Sequence, residues 1–564
     1  MSSSSSLSIV QGPREPSLCH LTLTQLVDQQ SERFGSKDAI IVPWSGARLS
    51  FQALSQHAQT LAKGLLAMGI DRGDRVAIFS GDDERFVELV IAMAWIGAVL
   101  VVLNKTFTPL ECDRAIRHTE ASLLFIGDIV NFKSTQFLIQ HIQTHPIPDL
   151  KQTVFMRTNY ANAHKTLPWD DVLRLGNSVP QQSLDRAQHS VHCHDTIYIQ
   201  FTSGTSGDPK AATLSHFGII NNGRMCGAHL NLSPDDVICC PPPMFHALGL
   251  VSGLICSLAY GATVVFPSRD FDASAVADAL MRYGCTVLHG VPTMFVAILQ
   301  HLQRGKVEVK TVRVGMIGGM KVAPCLLKEI RATLSPMDVR ILYGMTETSA
   351  GSFMTAATDP VKEKLETVGK ALPHVQAKIV DSKNHILPRG CRGELCISGY
   401  LLQKGYYKNE KKTAEALVRD EDGVIWMHTG DEATIDEEGY CRITGRIKDI
   451  IIRGGENIYP TEIEERLMEH PNIEQAAVVG LQDDKYGEIV AAFLQSPLQH
   501  SRPSLDDVKS WIWQVFGRHK APVHVFWVGP GDMIGQYPVT GSGKIRKEVL
   551  REMGNKMIAG PEQG

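Results

Sequence analysis

Residues 195–210 read DTIYIQFTSGTSGDPK, and their two halves belong together. Asp195 to Phe201 is rich in β-branched and aromatic side chains and reads as a buried strand. The nine residues that follow are Thr202, Ser203, Gly204, Thr205, Ser206, Gly207, Asp208, Pro209 and Lys210. They supply four hydroxyls, two glycines and one lysine. Glycine lets a backbone approach an anion closely, and N–H and hydroxyl groups then donate to its oxygens. The string is not a Walker A loop, which needs glycine before the lysine and Ser or Thr after it; Pro209 and Ala211 stand there instead. A Gly/Ser/Thr turn alone is commonly no more than a polar connection. A turn of this composition directly after a strand is a phosphate-loop candidate in an α/β protein.

Outward from this stretch, the first ~445 residues alternate amphipathic segments such as 51–68 with short apolar runs at 75–79, 122–126, 263–266 and 312–317. Strand then helix, repeated, predicts parallel-rich sheets flanked by helices. From Asp449 onward the pattern is smaller and α+β-like, with helices predicted over 461–470 and 506–516 and strands over 476–480 and 489–494. The expected organisation is a disordered tail over 1–20, a large domain over 21–447 and a small mobile lid over 448–564.

Three further motifs carry chemistry. Tyr343, Gly344, Met345, Thr346 and Glu347 follow an apolar run. An aromatic ring can stack on a purine, a threonine hydroxyl can bind phosphate and a glutamate can hold Mg2+. Equally, Thr346 could be a helix cap. Trp426 to Asp431, followed by Arg446 and Lys448, places a carboxylate that can accept two ribose hydroxyls near a fixed cation. Pro538 to Arg546 places Lys544 on a Gly-rich loop.

In this order and spacing the four strings resemble the adenylate-forming superfamily, which includes acyl-CoA synthetases, aryl-CoA ligases, beetle luciferases and the adenylation domains of peptide synthetases. The resemblance runs from about Leu21 to Lys547. It implies that the loop from Thr202 to Lys210 wraps the ATP phosphates and that Gly318, Gly319 and Tyr343 match the adenine pocket. It makes Thr346 an α-phosphate contact, Glu347 the Mg2+ ligand, Asp431 the ribose clamp and Arg446 its neighbour. Lys544 matches the lysine that bridges acyl carboxylate and α-phosphate, and Lys448 falls at the interdomain hinge. Gly454 and Gly455 match the pantetheine channel used after the small domain swings. ATP, Mg2+ and CoA are therefore the implied cofactors and acceptor, with a carrier-protein phosphopantetheine as the alternative acceptor. A non-catalytic homologue would be expected to have lost Glu347, Asp431, Arg446 or Lys544; all four are present.

The acyl pocket is expected around His246, Val291, Gly318 and Met345. The stretch 241–246 holds no carboxylate for a substrate ammonium, and burying that charge unpaired is expensive, which excludes amino acids as the expected acid. Asp272, in a string that looks like the amino-acid-activating motif, lies too late in the chain and reads as a helix start. Leu248, Leu250, Val251, Leu254 and Met294 suit an alkyl chain, and the local strings look most like medium-chain fatty acyl-CoA synthetases.

The net charge of −4 over 564 residues gives no footprint for nucleic acid or anionic membrane. The apolar stretch 89–103 is too short to span a bilayer, and 247–266 is divided by Gly261 into a helix-like piece and a β-branched run. Twelve cysteines without a Cys-x-x-Cys pair read as reduced thiols, and no ligand spacing in the sequence announces structural zinc. An N-terminal serine run without an apolar signal core, and a C-terminus unlike a peroxisomal tripeptide, give cytoplasmic placement as the expectation.

Overall fold

The computed structural model describes residues 6–157, 166–202, 210–320, 322–334, 337–497, 501–540 and 544–559. The chain divides into two compact units, one of Gln11–Gln376 with Ile397–Met427, the other of Met1–Val10, Ala377–Cys396 and His428–Gly564.

The larger unit is α/β, built on two parallel-rich sheets flanked by helices. In the first sheet the strands run in the order 166–168, 152–155, 123–126, 75–79, 99–102, 196–202, 210–215 and 405–406. All neighbours from 166–168 to 196–202 are parallel, and the last two pairings are antiparallel. The second sheet runs 370–371, 353–354, 338–343, 314–318, 287–290, 237–239, 263–265, 38–42 and 47–50. Its six central strands are parallel. Helices 273–282, 292–305 and 324–333 cover one face of that sheet with a continuous core that includes Leu280, Leu288, Phe295, Leu299 and Ile330.

Local sequence explains the individual elements. Helix 51–67 starts at Ser50, whose hydroxyl accepts from the Ala53 N–H at 3.1 Å, and buries Leu54, Ala58, Leu61 and Leu65 at helical spacing. Residues 89–103 are divided between helix 84–96 and strand 99–102 by Gly97, left-handed at φ 69°. The apolar stretch 247–266 likewise resolves into a π-helix over 248–255, an α-turn over 256–260, left-handed Gly261 and strand 263–265. Among the described residues no helix is long and apolar enough to cross a membrane.

In the smaller unit, strands 475–483 and 487–495 form a long antiparallel pair, extended by 451–453, 456–458 and the parallel strand 524–527. Side chains alternate strictly. Ala476, Val478, Val490 and Ala492 face helices 460–468 and 505–513, while Ala477, Val479, Ala491 and Phe493 face helix 547–559. With both faces buried, a slip of one residue would exchange every contact, so the register is tightly set.

The expected disordered tail is corrected from residue 6 onward. Residues 9–11 form a strand. The Ser8 N–H donates to the Leu387 carbonyl at 2.7 Å, and the Arg389 guanidinium donates to the carbonyls of Leu7 and Ile9 at 2.8 Å each. Polar composition suggested disorder, but backbone pairing needs no apolar side chains.

Candidate active site

In the parallel sheets the expected site residues gather at the carboxyl ends of strands, where open α/β sheets bind ligands. The chain enters the second sheet's middle at strand 237–239, which is flanked by 263–265 on one side and 287–290 on the other. The order of strands reverses there, and residues 240–246 leave from that switch point. Val291 follows strand 287–290, Gly318 and Gly319 close strand 314–318, and Tyr343 ends strand 338–343.

Strand 196–202 turns back antiparallel into 210–215, with Thr202 and Lys210 as register partners. The Thr202 hydroxyl donates to the Lys210 carbonyl at 3.4 Å. Ser203, Gly204, Thr205, Ser206, Gly207, Asp208 and Pro209 lie outside the described residues. The Lys210 ammonium stands over the Tyr406 ring, 5.1 Å from its centroid. The Tyr406 hydroxyl in turn donates to Glu347 Oε1 at 2.8 Å. Burial, and then the adjacent Glu347 charge, push the Tyr406 phenol well above its ordinary range, so it stays a donor at neutral pH. Strand 405–406, paired through Ala212 and Tyr406, holds this ring in place.

Glu347 itself is buried and sits in a single 3₁₀ turn, 346–348. The preceding Gly344 packs so closely that a Cβ there would lie 1.7 Å from the Ala350 carbonyl oxygen. Ser349 and Ala350 both take positive φ, 53° and 110°. Buried Asn222 restrains this strained turn: its amide donates to the Gly351 carbonyl at 2.7 Å and accepts the Gly351 N–H at 3.0 Å. The Ser349 hydroxyl adds a bond to the Leu401 carbonyl at 2.8 Å. Thr346 and Met345 are half-buried beside Glu347. A carboxylate and a hydroxyl are hard oxygen donors, which fit Mg2+. Tyr406→Phe removes the donor on the buried carboxylate while keeping the ring under Lys210. A hydrogen bond to a charged group is worth about 1.5–3 kcal/mol, so the acid-dependent ATP–pyrophosphate exchange that the sequence resemblance implies should fall roughly 10- to 100-fold. Unchanged exchange would remove Tyr406 from the site.

The 240–246 segment is pinned on both sides. The buried Asp82 carboxylate, following strand 75–79, accepts the Met244 N–H at 2.8 Å, and the Tyr198 hydroxyl donates to the Met244 carbonyl at 2.9 Å. His246 is half-buried, with Phe245 4.3 Å away ring to ring and Gln200 Nε2 3.4 Å from its Nδ1. Gly249 in the π-helix is required by contact, since a Cβ would meet the Pro243 carbonyl oxygen at 2.3 Å. Gly319 has φ +83°, and a Cβ on it would lie 3.4 Å from Val291 Cγ1. His289, by contrast, is fully buried, and burial lowers it to about 4, so it is a neutral core imidazole. Asp272 caps helix 273–282 by accepting the Ser274 and Ala275 N–H groups, as the reading of a helix start requires.

The remaining expected residues belong to the smaller unit. Asp431 and Arg446 are cross-strand partners, with Nε 2.6 Å from Oδ1. Asp431 is buried and Arg446 exposed, so the carboxylate is held inside by a cation that reaches solvent. Lys448 lies in a 3₁₀ turn, 447–449. Burial depresses its ammonium, the Arg446 charge adds to that, and Asp449 opposes it. Gly454 and Gly455 form a two-residue hairpin between strands 451–453 and 456–458, both with positive φ, 59° and 86°. Lys544 follows a loop whose ends are tied by the Thr540 N–H to the Lys544 carbonyl at 2.7 Å and the Arg546 N–H to the Pro538 carbonyl at 2.7 Å.

A family model described as AMP-binding enzyme matches residues 27–407, and one described as AMP-binding enzyme C-terminal domain matches 462–544. Acyl-CoA ligase sidI of Aspergillus fumigatus is 44% identical over 98% of this chain and 94% of its own length. Medium-chain acyl-CoA ligase ACSF2, mitochondrial, of Homo sapiens is 34% identical over 97% of this chain and 89% of its own. The crystal structure of ATP-bound MatB from Rhodopseudomonas palustris matches with a TM-score of 0.81 at 26% identity, covering 95% of this chain and 100% of that one.

Proposed function

The chain belongs to the AMP-binding enzyme family, and from that premise we propose that it joins a carboxylic acid to ATP as an acyl-adenylate and then passes the acyl group to coenzyme A. The observation that carries this reading is the Lys210–Tyr406–Glu347 array at the root of the 203–209 loop. It links Lys210, the residue next in the chain after the hydroxyl-rich segment 203–209, through one aromatic ring to a buried carboxylate.

In the first step a carboxylate oxygen of the acid bonds to the α-phosphorus and pyrophosphate leaves. Two anions approach each other, so cations are needed where charge accumulates. Mg2+, held by Glu347 with Thr346 beside it, would neutralise phosphate charge. Lys544 bridges the acyl carboxylate and the α-phosphate, Asp431 accepts the ribose hydroxyls with Arg446 next to it, and Tyr343 packs on adenine. In the second step the CoA thiol bonds to the acyl carbon, its proton passes to solvent and AMP leaves. We assign Gly454 and Gly455 to the pantetheine path and Lys448 to a hinge between a domain over 21–447 and a lid over 448–564.

For the acid, the reading is a medium-chain fatty acid, bound near His246, Val291, Gly318 and Met345. Its support is the apolar wall from Leu250, Val251 and Leu254, all buried, and the name carried by the ACSF2 relative. The test is pyrophosphate release with fatty, aryl and amino acids, with and without CoA. CoA-dependent thioester with medium-chain fatty acids is the expected result. Pyrophosphate release without thioester would replace CoA by a carrier-protein thiol, and release with aryl acids alone would overturn the chain-type assignment.

A further inference from the structure

We propose that Cys193, His20 and His194 form a binding site for a divalent transition-metal ion, with zinc the fitting occupant. One ligand atom from each residue lies within 4.8 Å of the other two. Two imidazoles and one thiol are borderline-soft donors, suited to zinc or cobalt and unsuited to Mg2+, which demands oxygen. The site is therefore chemically separate from the Glu347 region. Three protein ligands with one position for water is an ordinary zinc count.

The cluster is held on both sides by bonds that do not involve the ligand atoms. The Cys19 N–H donates to Asn221 Oδ1 at 2.7 Å, and Asn221 Nδ2 donates back to the Cys19 carbonyl at 2.8 Å, which fixes the backbone next to His20. On the other side the Phe217 N–H donates to the Cys193 carbonyl at 2.7 Å, and the Lys404 ammonium donates to the His194 carbonyl at 3.1 Å. Asp195 closes that turn by accepting the His192 N–H at 2.9 Å and is itself clamped by Arg72, with Nη2 2.7 Å from Oδ2. Both imidazoles lean on the Phe217 ring, at 5.1 Å and 4.7 Å between centroids. A preorganised pair of rings loses little freedom on binding, which is the condition for a tight site. His20 and His194 are exposed and Cys193 half-buried, so an ion can reach all three.

Binding forms one metal–sulfur bond and releases the thiol proton to solvent. An occupied site would tie the chain entry near helix 23–34 to the turn that opens strand 196–202, the strand that leads into the phosphate-type loop. A second group, Glu394, Cys396 and His428, carries a different reading. There the imidazole Nδ1 lies 2.9 Å from the glutamate and 3.5 Å from the thiol, so the three already form a hydrogen-bonded set.

The test is titration of chelator-treated full-length protein with Co2+. The expected result is one cobalt per chain with a thiolate-to-cobalt charge-transfer band in the near ultraviolet, displaced by Zn2+. Cys193→Ser should abolish the band, and His20→Ala or His194→Ala should each weaken cobalt binding at least roughly tenfold, since loss of even an outer-shell partner of a ligand costs about 10- to 100-fold. Cys396→Ser should leave the band intact. Because His20 is exposed, His20→Ala keeps the test valid if Cys193→Ser fails to fold. Absence of the band, its survival in Cys193→Ser, or its loss in Cys396→Ser would each overturn the proposal.

Discussion

Lys544→Ala is expected to lower acyl-adenylate formation by roughly 100- to 1,000-fold while leaving thioester formation from supplied acyl-adenylate within a factor of a few. The asymmetry follows from where charge develops. Attack of a carboxylate on a phosphate brings two anions together, and a cation aimed at that point acts mainly in the transition state, so its loss lowers kcat. In the thiol step the acyl group is already joined to AMP as a mixed anhydride, and the same repulsion is gone. The main-chain ties on either side of residues 541–543 run from the Thr540 and Arg546 N–H groups to the Lys544 and Pro538 carbonyls and are kept in the alanine variant. A fold defect should therefore not mimic the effect. Measured as ATP–pyrophosphate exchange against single-turnover thioester formation, equal loss in both half-reactions would sink the assignment.

Local chemistry made much of this readable in the sequence, because the motifs announce themselves through neighbours in the chain. The strand before Thr202 is a run of β-branched and aromatic residues, and it is a strand. Gly454 and Gly455 occupy a turn that needs two positive φ values. Helix 460–468 and strand 487–495 lie within a few residues of the positions expected for them. The corrected part is the N-terminal tail, where composition predicts disorder and main-chain pairing with residues 379 and 387 decides the outcome.

What stayed hidden depends on contacts across long stretches of chain. Tyr406 reaches Glu347 from 59 residues away, and nothing in the sequence around either marks the pair. Asn222 reaches Gly351 from 129 residues away, and nothing in the sequence around Asn222 marks it as a restraint on the turn that carries Glu347. His20 and the pair Cys193-His194 form a cluster only because the segments that carry them pack on Phe217 and Asn221. For Asp82 a signal did exist. Three acidic residues, Asp82, Asp83 and Glu84, follow the apolar strand 75–79 after only Ser80 and Gly81, at the carboxyl end of a parallel strand, where ligand crevices form.

Asp82 also carries the second large expected effect. Its carboxylate is fully buried, and burial pushes it up to about 7, against the stabilising pull of the Met244 N–H and the Lys105 charge. In the unfolded chain the same group titrates near 3.8. Between those values the folded protein holds a proton that the unfolded chain has lost, so this group's contribution is full at low pH, shrinks as pH rises and is gone above about 7. A shift of that size corresponds to about 4 kcal/mol between pH 4 and pH 8. Asp82→Asn keeps an oxygen to accept the Met244 N–H but never ionises. Urea denaturation at pH 5 and pH 8 should therefore show the variant more stable by about 1.5 kcal/mol at the lower pH and by up to ~4 kcal/mol at the higher. An identical pH slope in the two proteins would mean that Asp82 is not the group responsible. The direction matters for the reaction. An ionising carboxylate kept at a cost beside the segment that leads to His246 is the mark of a residue retained for the crevice, since stability alone would favour the amide. Loss of activity with the preferred acid in the stabilised variant would assign the crevice role to the charge itself, since the amide keeps the Met244 hydrogen bond.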